Sequence, residues 1–382
     1  MNKPLVIDRA GVDALIAALI DRGYEVVGPT VRAQTILYDT ITSTEDLPIG
    51  LRDRQEAGTY RLEERGDEAL FGYVVGPQSL KKYLTPPGTV FWRGRRTESG
   101  FETVEADEPP RYAFFGARPC DVAAMKIQDD VYLPVGDGVY TERRARSFTV
   151  AVNCTEPAAT CFCASLGTGP AVSDGYDIAL TEVLSGEHHF FLAEAGTEEG
   201  AEVLSSLAAR TARDEEIVGA RRLVVGAADH MGRSLDTDGL KELLSANLTN
   251  SIWTEIGDRC LACTNCTMVC PTCFCSTVED RQALDGSSAE RVRIWDSCFT
   301  LDFSYIHGGP VRSSPGARYR QWITHKLSSW QDQFGSIGCV GCGRCITWCP
   351  VGIDITKEAA AVRERDIRRV KVGIQNVKEA IE

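Results

Sequence analysis

Two cysteine runs constrain this chain more than any other feature. Cys260, Cys263, Cys266 and Cys270 are followed by Pro271, and Cys339, Cys342, Cys345 and Cys349 by Pro350. Each run spells Cys-x2-Cys-x2-Cys-x3-Cys-Pro, and the second repeats the first without deviation. The chain has 15 cysteines in 382 residues, an odd number, so a fully paired disulfide framework is excluded. A chain of this length buries an ample apolar core and needs no cross-links to fold. The apolar stretch over residues 12–20 is interrupted by Asp13 and followed by Asp21 and Arg22, which is not a secretory leader. No segment reaches the roughly 18 uncharged apolar residues that a membrane-spanning helix needs. A cytoplasmic, reducing location is therefore expected, where clustered thiols mean metal or redox chemistry.

The spacing suits an iron–sulfur cubane. Three thiolates at two-residue intervals can wrap one face of a cluster from a tight loop. The fourth lies about one helical turn on, and the proline redirects the chain; in two-cluster ferredoxins that fourth cysteine ligates the other cluster. The expected ligand sets are thus crossed: Cys260, Cys263, Cys266 and Cys349 for one 4Fe–4S centre, Cys339, Cys342, Cys345 and Cys270 for the second. The crossing would tie the runs into one domain despite 68 intervening residues. A pair of zinc sites fits less well, because zinc usually takes four ligands as two separated pairs.

A third constellation lies earlier. Cys120 follows the strand candidate YAFFGA, Cys154 follows SFTVAVN, and Cys161 and Cys163 sit in TCFCASLGTGP. A helix over 121–132 between the two strands makes a parallel pair the expected arrangement. Both strands would then end on one edge of the sheet, where open α/β sheets bind ligands. Four thiolates gathered there suit a third 4Fe–4S cluster. Buried free cysteines are the plainer alternative. Cys273, Cys275 and Cys298 remain; they read as packing beside a cluster, with an incomplete or differently ligated metal site as the alternative. Arg259, Arg344 and Lys326 flank the runs, where positive charge would raise a cluster's potential, or where they simply face solvent.

The fold expected is an α+β or α/β N-terminal domain with a mixed sheet over 1–245, followed by an α-helical ferredoxin-type dicluster domain over 246–382. Residues 9–22 read as a helix capped by Asp8, and YEVVGP, TILYDTI, TYRLEE, LFGYVVGP, DIALTEV and HHFFLAEA as strands. GAEVLSSLAAR and DTDGLKELLSANL read as helices, the chain beyond 250 as mostly helical, and its end as an exposed charged helix. The net charge of −13 argues against nucleic-acid binding. No dinucleotide fingerprint, hydrolytic triad or zinc-protease motif is present, and no catalytic residue is assigned.

RPCD, the strand ending at Cys154, TCFCASLGTGP, CLACTNCTMVCPTCFC, HGGPVRSSPGARYRQWITHKL and GCVGCGRCITWCP occur in this order. Together they resemble the 4Fe–4S dicluster beta subunit of cytoplasmic NAD(P)-linked nickel–iron hydrogenases, the sulfhydrogenases, and the related iron–sulfur subunit of anaerobic sulfite reductase. The resemblance implies an electron-transfer subunit of an oxidoreductase complex. Its partners would be a flavin subunit that meets NAD(P)H and the small and large subunits of a nickel–iron hydrogenase, or a sirohaem subunit in the sulfite reductase type. A flavin- or substrate-binding enzyme subunit, with its site near TCFCASLGTGP, is the remaining alternative.

Overall fold

The computed structural model describes residues 3–74, 76–104, 108–186 and 188–381. Its N-terminal part is built on an eight-stranded mixed sheet. Across the sheet the strands run Arg210–Thr211, Leu5–Ile7, His188–Ala195, Ile178–Ser185, Phe148–Val152, Tyr112–Ala117, Glu25–Arg32 and Thr35–Thr40. The centre is parallel: Glu25–Arg32 pairs with Tyr112–Ala117, that strand with Phe148–Val152, and that in turn with Ile178–Ser185. The outer pairings are antiparallel.

Alternation along these strands makes two cores, because successive side chains point to opposite faces. Val26, Phe115, Val150, Val152 and Leu180 pack with Val12, Leu15, Ile16 and Leu19 of helix Arg9–Asp21. Val27, Phe114 and Ala151 face the other way, onto Val122 and Met125 of helix Pro119–Tyr132 and onto Tyr140. Helix Arg9–Asp21 starts where Asp8 accepts a hydrogen bond from the Gly11 amide at 2.8 Å, which satisfies a donor left free by the first turn.

Residues 252–381 contribute helices Ile252–Arg259, Pro315–Thr324, Trp330–Phe334 and Ile355–Ile381 around a second core of Trp253, Ile256, Trp322, Ile323, Leu327 and Ile353. Three expectations need correction. The chain beyond 250 is not helical throughout: Ser276–Gln282 and Ser288–Trp295 form a hairpin, extended by Gly88–Thr97 and Gly100–Thr103 into a four-stranded antiparallel sheet. The Asp285–Gly286 turn, with Gly286 at φ +72°, carries the hairpin signal. LFGYVVGP forms no strand over its described residues, and Val75 lies outside them. Its Leu70 and Phe71 amides donate to the buried carboxylate of Glu182 at 2.7 and 2.8 Å instead of to a neighbouring strand. The terminal helix is not exposed from its start, because Ile355, Ala359 and Val362 are buried in the second core. No helix among the described residues is long and apolar enough to cross a membrane.

Candidate metal centres

The two runs adopt one backbone. In the first, Ala262 and Thr264 hold positive φ of 50° and 70°; in the second, Gly341 and Gly343 hold 62° and 73°. The left-handed residue after the first cysteine turns its amide back onto that cysteine's sulfur. Ala262 N–H donates to Cys260 Sγ at 3.4 Å and Gly341 N–H to Cys339 Sγ at 3.5 Å. Short helices Asn265–Met268 and Arg344–Thr347 follow at matching positions.

The glycines of the second run have a packing reason. A Cβ on Gly341 would lie 2.6 Å from the Cys163 nitrogen, and one on Gly343 2.4 Å from the Thr160 oxygen. The second run is thus pressed backbone to backbone on the loop that carries Cys161 and Cys163. Phe162 N–H donates to the Gly341 carbonyl at 2.8 Å, and Thr168 Oγ1 donates to the Val340 carbonyl at 2.8 Å.

The thiols fall into three neighbouring groups. Cys260, Cys263, Cys266 and Cys349 line one cavity with Phe299, Tyr319 and Trp322, and Cys345 of the second run reaches the same cavity. Burial pushes the Cys266 thiol well up, and Cys260, Cys349 and Cys263 push it further. Cys345 is raised by burial and then by Cys339, Cys342 and Cys270. Cys339 is pushed up to about 12, chiefly by burial, with Cys270 and Cys342 adding to it. The structure therefore brings Cys270 to the second run and Cys349 to the first.

In the N-terminal part, Cys120 and Cys154 follow the parallel strands Tyr112–Ala117 and Phe148–Val152 and lie at the same sheet edge. The loop returns Cys161 and Cys163 to them, held by Cys154 N–H on the Pro170 carbonyl at 3.0 Å. All four are buried. Burial raises Cys163 to about 12, with Cys154 and Cys342 next; Cys161 is raised by burial, then by Cys163 and Cys154. Burial also raises Cys120, whose sulfur neighbours are Cys342 and Cys163. Such thiols are costly to ionise in an apolar pocket, and a bound metal cluster reverses that by taking the thiolate directly.

Buried donors without partners collect around these groups. Arg118 Nε and Arg344 Nη1 make no hydrogen bond, nor does Tyr319 Oη beside the first group. Arg118 Nη1 points at Cys154 Sγ from 4.0 Å. Sulfide and thiolate sulfurs of a cluster are acceptors for such donors, so the residues present fit iron–sulfur centres. Arg344 is held at 2% side-chain exposure by Asp121, at 2.8 Å, which itself accepts from Tyr38 Oη at 2.9 Å. Burial works against the Arg344 charge, and Asp121 with the Cys342 and Cys120 thiols more than offsets it. Of the three flanking cations, Arg344 and Lys326 are buried, whereas Arg259 pairs with Glu358 at 2.8 Å. Arg118, Asp121 and Lys81 are not singled out by the sequence; only the RPCD motif around Cys120 points toward the first two.

The 4Fe–4S dicluster domain family matches residues 259–353. Sulfhydrogenase 2 subunit beta of Pyrococcus furiosus is 32% identical over 312 residues, which covers 80% of this chain and 90% of that protein. No solved structure matches the chain.

Proposed function

The chain belongs to the family of sulfhydrogenase beta subunits, and from that premise we propose that it relays single electrons between a flavin subunit that meets NAD(P)H and the small and large subunits of a nickel–iron hydrogenase. In this reading Cys260, Cys263, Cys266 and Cys349 hold one 4Fe–4S cluster and Cys339, Cys342, Cys345 and Cys270 a second. Cys120, Cys154, Cys161 and Cys163 hold a third, within a domain spanning 1–245 that rests on a dicluster domain spanning 246–382. Each cluster carries one electron, whereas NAD(P)H gives up two as hydride, so a flavin must split the pair.

One observation carries the proposal: the three thiol groups adjoin one after another. Cys163 neighbours Cys342, linking the first-domain group to the second run. Cys345 neighbours Cys266, linking the second run to the first. The first run carries Cys263, which is exposed. The protein's own part is to order the three groups, to keep solvent from the inner two, and to aim Arg118 and Arg344 at their sulfurs.

Iron analysis of the anaerobically purified chain tests it. These three cubanes account for about twelve irons, and Cys120→Ser should lose about four. An unchanged count in that variant would remove the third ligand set. Proteins that co-purify with the chain test the partners: a nickel–iron subunit supports this reading, and a sirohaem protein replaces it with the sulfite reductase type.

A further inference from the structure

Three cysteines stand outside those groups, and the fold gathers them. Cys273 and Cys275 lie just before strand Ser276–Gln282, and Cys298 lies just after its partner Ser288–Trp295. The hairpin brings its own base together: Ser276 pairs with Trp295, and Asp296 N–H donates to the Cys275 carbonyl at 2.9 Å. Cys275 and Cys298 act on each other more strongly than any other group does, and both are free thiols. The trio sits beside the two runs, with Cys273 next to Cys270 and Cys298 near Cys266.

Two buried lysines lie against this trio, and neither has a carboxylate partner among the described residues. Lys81 is 5% exposed; its ammonium donates to the Cys273 carbonyl at 3.2 Å and sits 3.9 Å from the centre of the Trp295 ring. Lys326 is 2% exposed and donates to Thr272 Oγ1 at 2.7 Å and to the Gly338 carbonyl at 3.1 Å. It is carried inward by a π-helical turn, His325–Ser329, within the helix that starts at Pro315. A buried ammonium without an opposite charge carries the penalty of any uncompensated buried ion. Carbonyls and a ring face offset only part of that. Lys326 is shared: Cys270 and Cys339 face it from the second group, and Cys273, Cys275 and Cys298 face it from the trio. Lys81 has Cys273 as its first thiol neighbour, then Cys270 and Cys275, so two of the three thiols that face it belong to the trio.

We propose that Cys273, Cys275 and Cys298 hold a fourth iron–sulfur centre, bound by three thiolates, with Lys81 and Lys326 as its counter-charges. It goes beyond the three-cluster relay and adjoins it at Cys270 and Cys266. A neutral disulfide between Cys275 and Cys298 would take one of the thiols away from Lys81 as a counter-charge and leave Cys273 without a role. Among the described residues no three His, Cys, Asp or Glu side chains converge as one metal ion requires. That holds equally for the eight cysteines of the two runs, because inorganic sulfide spreads thiolate ligands further apart than a single ion does. The iron without a thiolate takes a small anionic donor such as hydroxide or hydrosulfide, which the two ammoniums favour.

The test uses the full chain, purified anaerobically. Wild type is expected to hold about sixteen irons, and Cys298→Ser about twelve. Mild oxidation of wild type should give the EPR signal of a three-iron cluster, because the iron without a thiolate leaves first; Cys298→Ser should lack it. Lys81→Met should keep the iron but lower the midpoint potential of that centre, since positive charge nearby raises it. An unchanged iron count in Cys298→Ser overturns the proposal, as does loss of two titratable thiols on oxidation with the iron intact. The relay is judged separately: Cys120→Ser losing about four irons while Cys298→Ser loses none would sink only the fourth centre.

Discussion

Arg344 is the residue on which two parts of the molecule meet. Its guanidinium donates to Asp121 of the N-terminal part and, at 3.1 Å, to the Gly76 carbonyl, while its neighbour in sequence is Cys345 of the second run. Both members of the pair are almost fully buried, at 2% and 1% side-chain exposure. Such a pair is weak evidence of stability in itself, yet removing one partner strands the other charge. Asp121→Ala is therefore expected to destabilise the protein by about 3–5 kcal/mol, read from denaturant unfolding under anaerobic conditions. Asp121→Asn, which keeps the shape and the hydrogen bond to Tyr38, should cost less; equal losses would mean that packing, not charge, explains the effect. Read from the sequence, Arg344 is open between a charge beside a cluster and a solvent-facing side chain. Nothing in the local pattern around residue 344 reveals a carboxylate 223 positions away.

Among the elements, the two cysteine runs show how one backbone serves two surroundings. Left-handed φ costs an L-residue about 1–2 kcal/mol, and glycine avoids that cost. The first run bears it at Ala262 and Thr264, where there is room for a side chain. The second run cannot, because residues 160–163 lie against it. Gly343→Ala is expected to cost about 2–4 kcal/mol from the left-handed backbone and the collision with Thr160. It should also lower the iron held by the first-domain cysteines, since the 160–163 loop is what must give way. Iron content and unfolding midpoint check the two effects separately. A normal iron content in that variant would mean the loop is not held in place by the second run.

The hairpin over 276–295 is less legible, because its outward face is polar: every residue of Ser276–Gln282 is exposed. Without an apolar alternation, the Asp285–Gly286 turn is the one signal, and the flanking helices outweigh it. The parallel strands YAFFGA and SFTVAVN are legible for the opposite reason. Both are short, apolar and almost wholly internal, and the helix between them fixes their direction.

Across the molecule, the relevant gradient is access. The first-domain cysteines are all buried, those of the second run are partly buried, and Cys263 of the first run is exposed. An oxidant too large to enter the protein is expected to remove iron first from the group at Cys263, so that a sample stopped early keeps about eight of twelve irons in the relay. Simultaneous loss from all groups would contradict the order drawn above. Removal of all iron should lower the unfolding midpoint markedly, because thiols gathered in apolar pockets lose the ligand that justified their burial.

The chemistry is written locally in the chain. Cysteine spacing is a local property, since a loop that wraps three sulfurs round a cluster is encoded within seven residues and recurs wherever those residues recur. The family resemblance and the parallel strand pair are within reach of the sequence for the same reason. Tertiary structure decides what lies between the local pieces. It brings Cys349 to the first run and Cys270 to the second, and it presses the second run on the 160–163 loop. It also pairs Arg344 with Asp121 and sets Lys81 beside Cys273. Each of those contacts joins segments far apart in the chain, and each depends on burial, where an unmatched charge or donor is costly and its partner can come from any segment that the fold delivers.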